Sequence, residues 1–116
     1  MSIQILHNSR CSKSRAALDL LKTNKLDFQV IEYLKTPLNK AQITLLLAQL
    51  CIPAAALIRK SEAIYKSDYK GKTLSENDWI EAMVAHPKLI ERPIVIVNDK
   101  AAIGRPIENI QALLGE

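Results

Sequence analysis

His7-Asn8-Ser9-Arg10-Cys11-Ser12-Lys13-Ser14-Arg15 is the stretch on which the fold turns. Before it, residues 2–7 read as a short buried strand; after it, residues 14–23 carry an amphipathic helical pattern. The polar run 8–13 is the turn between them, so Cys11 stands at a strand-to-helix junction. Residues 27–33 alternate as a second strand. A strand–helix–strand unit this short implies parallel strands joined by a right-handed crossover.

Working outward, Thr36 and Pro37 stop the second strand, and residues 40–50 have helical periodicity. Pro53 begins another helical stretch to about residues 58–59. After a polar loop at 66–72, Ser75 is an N-cap, with Asp78 three residues on, for a helix through Trp79 and Met83 that Pro87 ends. Pro93 introduces the β-branched run 94–98, Asp99 and Lys100 turn, residues 101–103 return, and Pro106 opens a closing helix to Leu114. This is the thioredoxin order. It predicts an α/β fold with a four-stranded mixed sheet, helices on both faces, and an all-helical insertion between the second and third strands at about 36–87. At 116 residues the chain suits a single domain, 1–116.

Composition narrows the function. Aromatic residues make up 4% of the chain, so Leu, Ile, Val and Ala must build the core. The net charge of +4 comes from basic residues spread along the chain, which suits weak anion attraction and argues against nucleic-acid binding. No apolar stretch approaches a membrane span and the N-terminus opens straight into a strand pattern, so no membrane partner and a cytoplasmic location are expected. Cys11 and Cys51 are too few for a disulfide framework, and His7 and His86 supply no zinc-like spacing, so no metal is expected.

The remaining question is thiol chemistry. A cysteine at a helix start meets unpaired backbone N–H groups, which favour thiolate over thiol, and Arg10, Lys13 and Arg15 add positive charge. An inert cysteine in a turn is the alternative on position alone. Ser14 in the C-x-x-S pattern excludes an internal dithiol couple; it either donates to the thiolate or caps the helix. His7 either favours the thiolate as imidazolium or bonds to backbone at the strand end. Cys51, in an apolar helical context, reads as a small buried hydrophobe, and His86 as a helix C-cap or surface residue. Arg59, Arg92 and Arg105 sit at transitions between elements; forked donors of this kind suit a tetrahedral oxyanion.

Five ordered motifs, HNSRCSKSR at 7–15, YLKTP at 33–37, ALIRK at 56–60, HPKLIERPIV at 86–95 and IGRP at 103–106, resemble the glutaredoxin-dependent arsenate reductase family, its short members especially. Ser9 stands where many of those relatives carry proline. The resemblance implies an arsenate held by Arg59, Arg92 and Arg105, nucleophilic attack by Cys11 with His7 and Ser14 beside it, and a cis peptide before Pro93. It implies glutathione as co-substrate, glutaredoxin as the partner that clears the mixed disulfide, and no bound cofactor. Two other classes stay open at this point: an Spx-like adaptor that binds RNA polymerase, and a glutathione-linked reductase of other disulfides.

Overall fold

Ile3 and Ile5 alternate with Gln4 to build β1 (Ile3–Leu6), the centre of a mixed sheet ordered β2-β1-β3-β4; the computed structural model describes residues 2–115. β1 pairs in parallel with β2 (Gln29–Ile31) and antiparallel with β3 (Ile94–Val97), placing Ile5 opposite Val30 and Val95. β3 turns back into antiparallel β4 (Lys100–Ile103), with Ile94 opposite Ile103. On one face Ile3, Ile5, Val95 and Val97 pack with Ala17 and Leu21 of α1 (Ser12–Thr23) and Ile110 of α5 (Glu108–Leu113). Leu6, Ile94 and Ile96, on the other face, are also buried.

The β3–β4 turn falls one residue earlier than the sequence pattern predicts. Asn98 and Asp99 form it, with Asn98 in the left-handed region at φ 56°, and Lys100 already belongs to β4. Asparagine tolerates that conformation. Its Oδ1 also accepts from the Ser2 N–H at 3.0 Å and its N–H donates to the Ser2 carbonyl at 2.8 Å, which fixes the turn against the start of β1.

Gly104, directly after β4, donates its N–H to the Pro93 carbonyl at 2.8 Å. A Cβ there would lie 2.5 Å from Cδ1 of Ile110 and 2.9 Å from Cγ of Pro93. Such overlap typically costs about 1–3 kcal/mol. Gly104→Ala should therefore lower the stability read from denaturant unfolding by an amount in this range, whereas Gly71→Ala, with open space around the new carbon, would report only backbone strain at φ 82°. The peptides Arg92–Pro93 and Arg105–Pro106 are both cis, the first as the resemblance implies.

These elements form one compact unit, from residues up to Thr36 and from Arg92 onward; Pro37–Glu91 forms another. In the second unit α2 (Lys40–Leu50) starts in a capping box: Asn39 Oδ1 accepts from the Gln42 N–H and Gln42 Oε1 from the Asn39 N–H, each at 2.8 Å. α3 (Ala54–Leu57) follows Pro53, and α4 (Glu76–Ala85) starts under its Ser75 cap, whose Oγ accepts from Asp78 N–H at 3.1 Å. His86 is the C-cap of α4, and Pro87–Leu89 adds a 3₁₀ turn.

Two features of this unit depart from the sequence reading. The stretch read as a loop at 66–72 contains a π-helical turn, Tyr65–Tyr69, whose rings lie against Trp79 with centroids 6.4 and 6.0 Å apart. The unit is also not wholly helical. Ile58 and Ile90 form an antiparallel bridge, made by Arg59 N–H to Leu89 O at 2.6 Å and Glu91 N–H to Leu57 O at 2.9 Å. Among the described residues, no helix is long and apolar enough to cross a membrane.

Candidate functional site

Cys11 is the N-cap of α1, in extended conformation at φ −96°, ψ 122°, so the helix begins at Ser12, two residues earlier than its amphipathic pattern. The turn that delivers it is tied by side chains. Asn8 Oδ1 accepts from the Arg10 N–H at 3.0 Å, Asn8 O accepts from the Cys11 N–H at 3.0 Å, and Arg15 Nη1 donates to Ser9 O at 2.9 Å. These bonds hold the turn that carries Cys11.

Ser14 is fully buried inside the first turn of α1 and does not cap it. Its hydroxyl lies 2.7 Å from His7 Nδ1 and accepts from the Asn8 N–H at 3.0 Å. The backbone N–H of Ser14 points at the Cys11 sulfur. His7 is buried at the end of β1, and burial outweighs the opposing pull of Glu32 to push its pKa below the usual histidine value, with Arg15 and Lys22 adding to the fall. Burial thus favours the neutral ring. The side-chain partner of the His7 ring is thus the Ser14 hydroxyl, within the first turn of α1.

Arg105 reaches the sulfur from the far end of the chain. Its Nε donates to Arg92 O at 2.6 Å and its Nη2 to Cys11 Sγ at 3.3 Å. The β3–β4 pairing sets the two arginines side by side, because Arg92 precedes β3 and Arg105 follows β4. Burial would raise the Cys11 pKa, but it is outweighed by the Ser14 N–H, the Arg92 guanidinium and the Lys13 N–H, so the thiol lies below its ordinary value. Arg10 and Arg15, neighbours in sequence, are not the leading source of that charge; Arg15 is turned to Ser9 O. Iodoacetamide alkylation of Cys11 should thus reach half its plateau rate below the free-thiol value of about pH 8.5. A midpoint at or above that value would show a thiol not poised for attack.

Arg59 lies in the second unit. There its Nε is 3.4 Å from Glu62 and its Nη1 3.7 Å from Glu91, a pair of carboxylates the sequence reading did not identify. The separation of three residues between Arg59 and Glu62 was a visible signal for the first. Cys51 is the opposite of the buried hydrophobe expected: it is exposed, because as C-cap of α2 it adopts the left-handed region at φ 58°.

A model of the ArsC family matches residues 6–113. The uncharacterised protein YfgD of Escherichia coli K12 is 46% identical over 115 residues, 97% of this chain and 97% of its own. An arsenate reductase of Neisseria meningitidis serogroup B is 41% identical over 114 residues, again 97% of each. The solved structure of an arsenate reductase from Vibrio cholerae aligns with a TM-score of 0.90 at 41% identity, over 96% of this chain and 97% of that one.

Proposed function

The chain belongs to the ArsC family of arsenate reductases, and from that premise we propose that it reduces arsenate to arsenite with Cys11 as nucleophile and glutathione and glutaredoxin as external reductants. The observation that carries the proposal is the contact of Arg105 Nη2 with Cys11 Sγ at 3.3 Å, with Arg92 beside it. Guanidinium groups flanking a thiolate favour its ionised form and attract a tetrahedral oxyanion to the same spot.

In the proposed reaction the Cys11 thiolate forms an S–As bond and one arsenate oxygen leaves as water after protonation. Glutathione then adds its sulfur. Arsenic takes up two electrons, passing from the pentavalent to the trivalent state, and the two sulfurs each give up one as Cys11 and glutathione end as a mixed disulfide. Glutaredoxin exchanges that disulfide and restores the Cys11 thiol. Ser14 supplies a hydroxyl where a second thiol would sit, so the second sulfur has to come from outside.

His7 and the Ser14 hydroxyl act as positioning residues in this scheme. Their bond fixes the first turn of α1, whose N–H groups face the sulfur. The reading rests on Cys11, Arg92 and Arg105; Arg59 is not part of what carries it. Its test is arsenite formation by the purified protein with glutathione and glutaredoxin supplied, where absence of turnover above the protein-free rate would sink it.

A further inference from the structure

A groove of about 410 Å³ runs between the first turns of α1 and the segment that follows β4, and the mechanism above leaves it unused. Its walls are Lys13 and Ala16 on one side and Arg105, Pro106, Ile107 and Glu108 on the other. That volume falls within the range of small-molecule sites, roughly 300–1,000 Å³. Arg105 is a wall of this groove and also the donor to Cys11 Sγ, so a molecule seated here lies one side chain from the reacting sulfur.

The lining charges are specific in kind. Lys13 and Arg105 offer two cations and Glu108 one carboxylate, while Ala16, Pro106 and Ile107 give apolar surface between them. The complement is a small flexible molecule carrying both carboxylate and ammonium, joined by methylene groups, with carboxylates in excess. An oxyanion such as arsenate has no use for Glu108, which would repel it.

We propose that this groove binds the γ-glutamyl end of glutathione, with Glu108 receiving its ammonium and Lys13 its α-carboxylate, so that its thiol is presented at Cys11. The assignment rests on the proposed reduction by glutathione and adds to it the place where the second thiol docks. Arg105 then serves on two sides, facing the oxyanion at the sulfur and the peptide in the groove. Glu108, which only the groove uses, is the residue that separates the two roles.

Two measurements decide it. The first is activity with glutathione and with desamino-glutathione, which lacks the ammonium group. Glu108→Gln should raise KM for glutathione about three- to fivefold, the size expected for an exposed charge pair, and wild-type protein should disfavour desamino-glutathione by a similar factor. The variant should no longer discriminate between the two thiols. Equal use of both thiols by the wild type would overturn the proposal. The second is chemical-shift mapping with S-methylglutathione, which cannot react: shifts should cluster at the backbone amides of Ala16, Gly104, Ile107 and Glu108 and weaken in Glu108→Gln. Clustering there without any arsenate turnover would remove the arsenate reading and leave the groove standing, whereas turnover with no shift at these amides would remove the groove alone.

Discussion

Cys11→Ser should abolish arsenate reduction with glutathione and glutaredoxin present, down to the rate without protein, and Cys51→Ser should keep most of it. The expected contrast follows from where each sulfur sits. Cys11 is buried at the start of α1, with the Ser14 and Lys13 N–H groups, Arg92 and Arg105 directed at it, and its thiol is shifted toward ionisation. A serine hydroxyl at that position accepts the same hydrogen bonds, so the variant should fold, but it is far less ionised at neutral pH and forms no S–S bond with glutathione. Cys51 is exposed at the end of α2, and its Sγ–H merely donates to the Ala48 carbonyl at 3.5 Å. Circular dichroism and arsenite formation measured on both variants check the pair. A folded Cys51→Ser protein without activity would mean that the second sulfur is internal, against the external-thiol scheme.

The second large effect belongs to the arginines. An anionic thiolate meeting a charged oxyanion at ~4 Å is opposed by roughly 4 kcal/mol per unit of charge at an effective dielectric of about 20. Cations fixed beside the sulfur offset that repulsion without reorganising during the reaction. Arg105 is fixed because one guanidinium makes two bonds in different directions, Nε to Arg92 O and Nη2 to Cys11 Sγ. Lysine keeps the charge but has one nitrogen, which cannot reproduce the fork. Arg105→Lys should therefore lower kcat on the order of a hundredfold, the usual cost of losing an oxyanion donor, with the fold intact. Arg92→Lys should act in the same direction and also raise the midpoint of Cys11 alkylation, since its guanidinium is among the groups that lower the thiol pKa. A well-folded Arg105→Lys enzyme within about threefold of wild-type kcat would show that this guanidinium does not face the reacting anion.

Much of this site was legible before any coordinates, because its central part is local. A strand pattern, a polar turn and an amphipathic run put Cys11 at a helix start, and the N–H groups that a helix leaves unpaired follow from that alone. The Arg-Pro pairs at 92–93 and 105–106 were visible as markers of element starts. The roles of the neighbours were less legible. Arg10 and Arg15 looked like the charges that would acidify Cys11, yet Arg15 turns to Ser9 O and the leading guanidinium is that of Arg92. Adjacency in sequence gives proximity but not direction. His7 looked ambiguous because its charge depends on burial and on the charges of Glu32, Arg15 and Lys22 around it, which a linear reading does not supply.

By itself the sequence determined the order of the main elements, the C-x-x-S pattern that rules out an internal dithiol, and the boundaries set by Ser75 and the prolines, because caps, turns and periodicity are written within a few residues of where they act. The tertiary structure decided what depends on packing across the sheet. Antiparallel pairing of β3 with β4, closed by a glycine at 104 where any Cβ would strike Ile110 and Pro93, brings Arg105 onto Arg92 O and Cys11 Sγ. It also decided that Cys51 faces solvent, since a left-handed residue at a helix end leaves the helix surface that its apolar neighbours define. A guanidinium acts only on the groups it can reach and aim at, and for residues this far apart along the chain that reach is set by the register of the sheet.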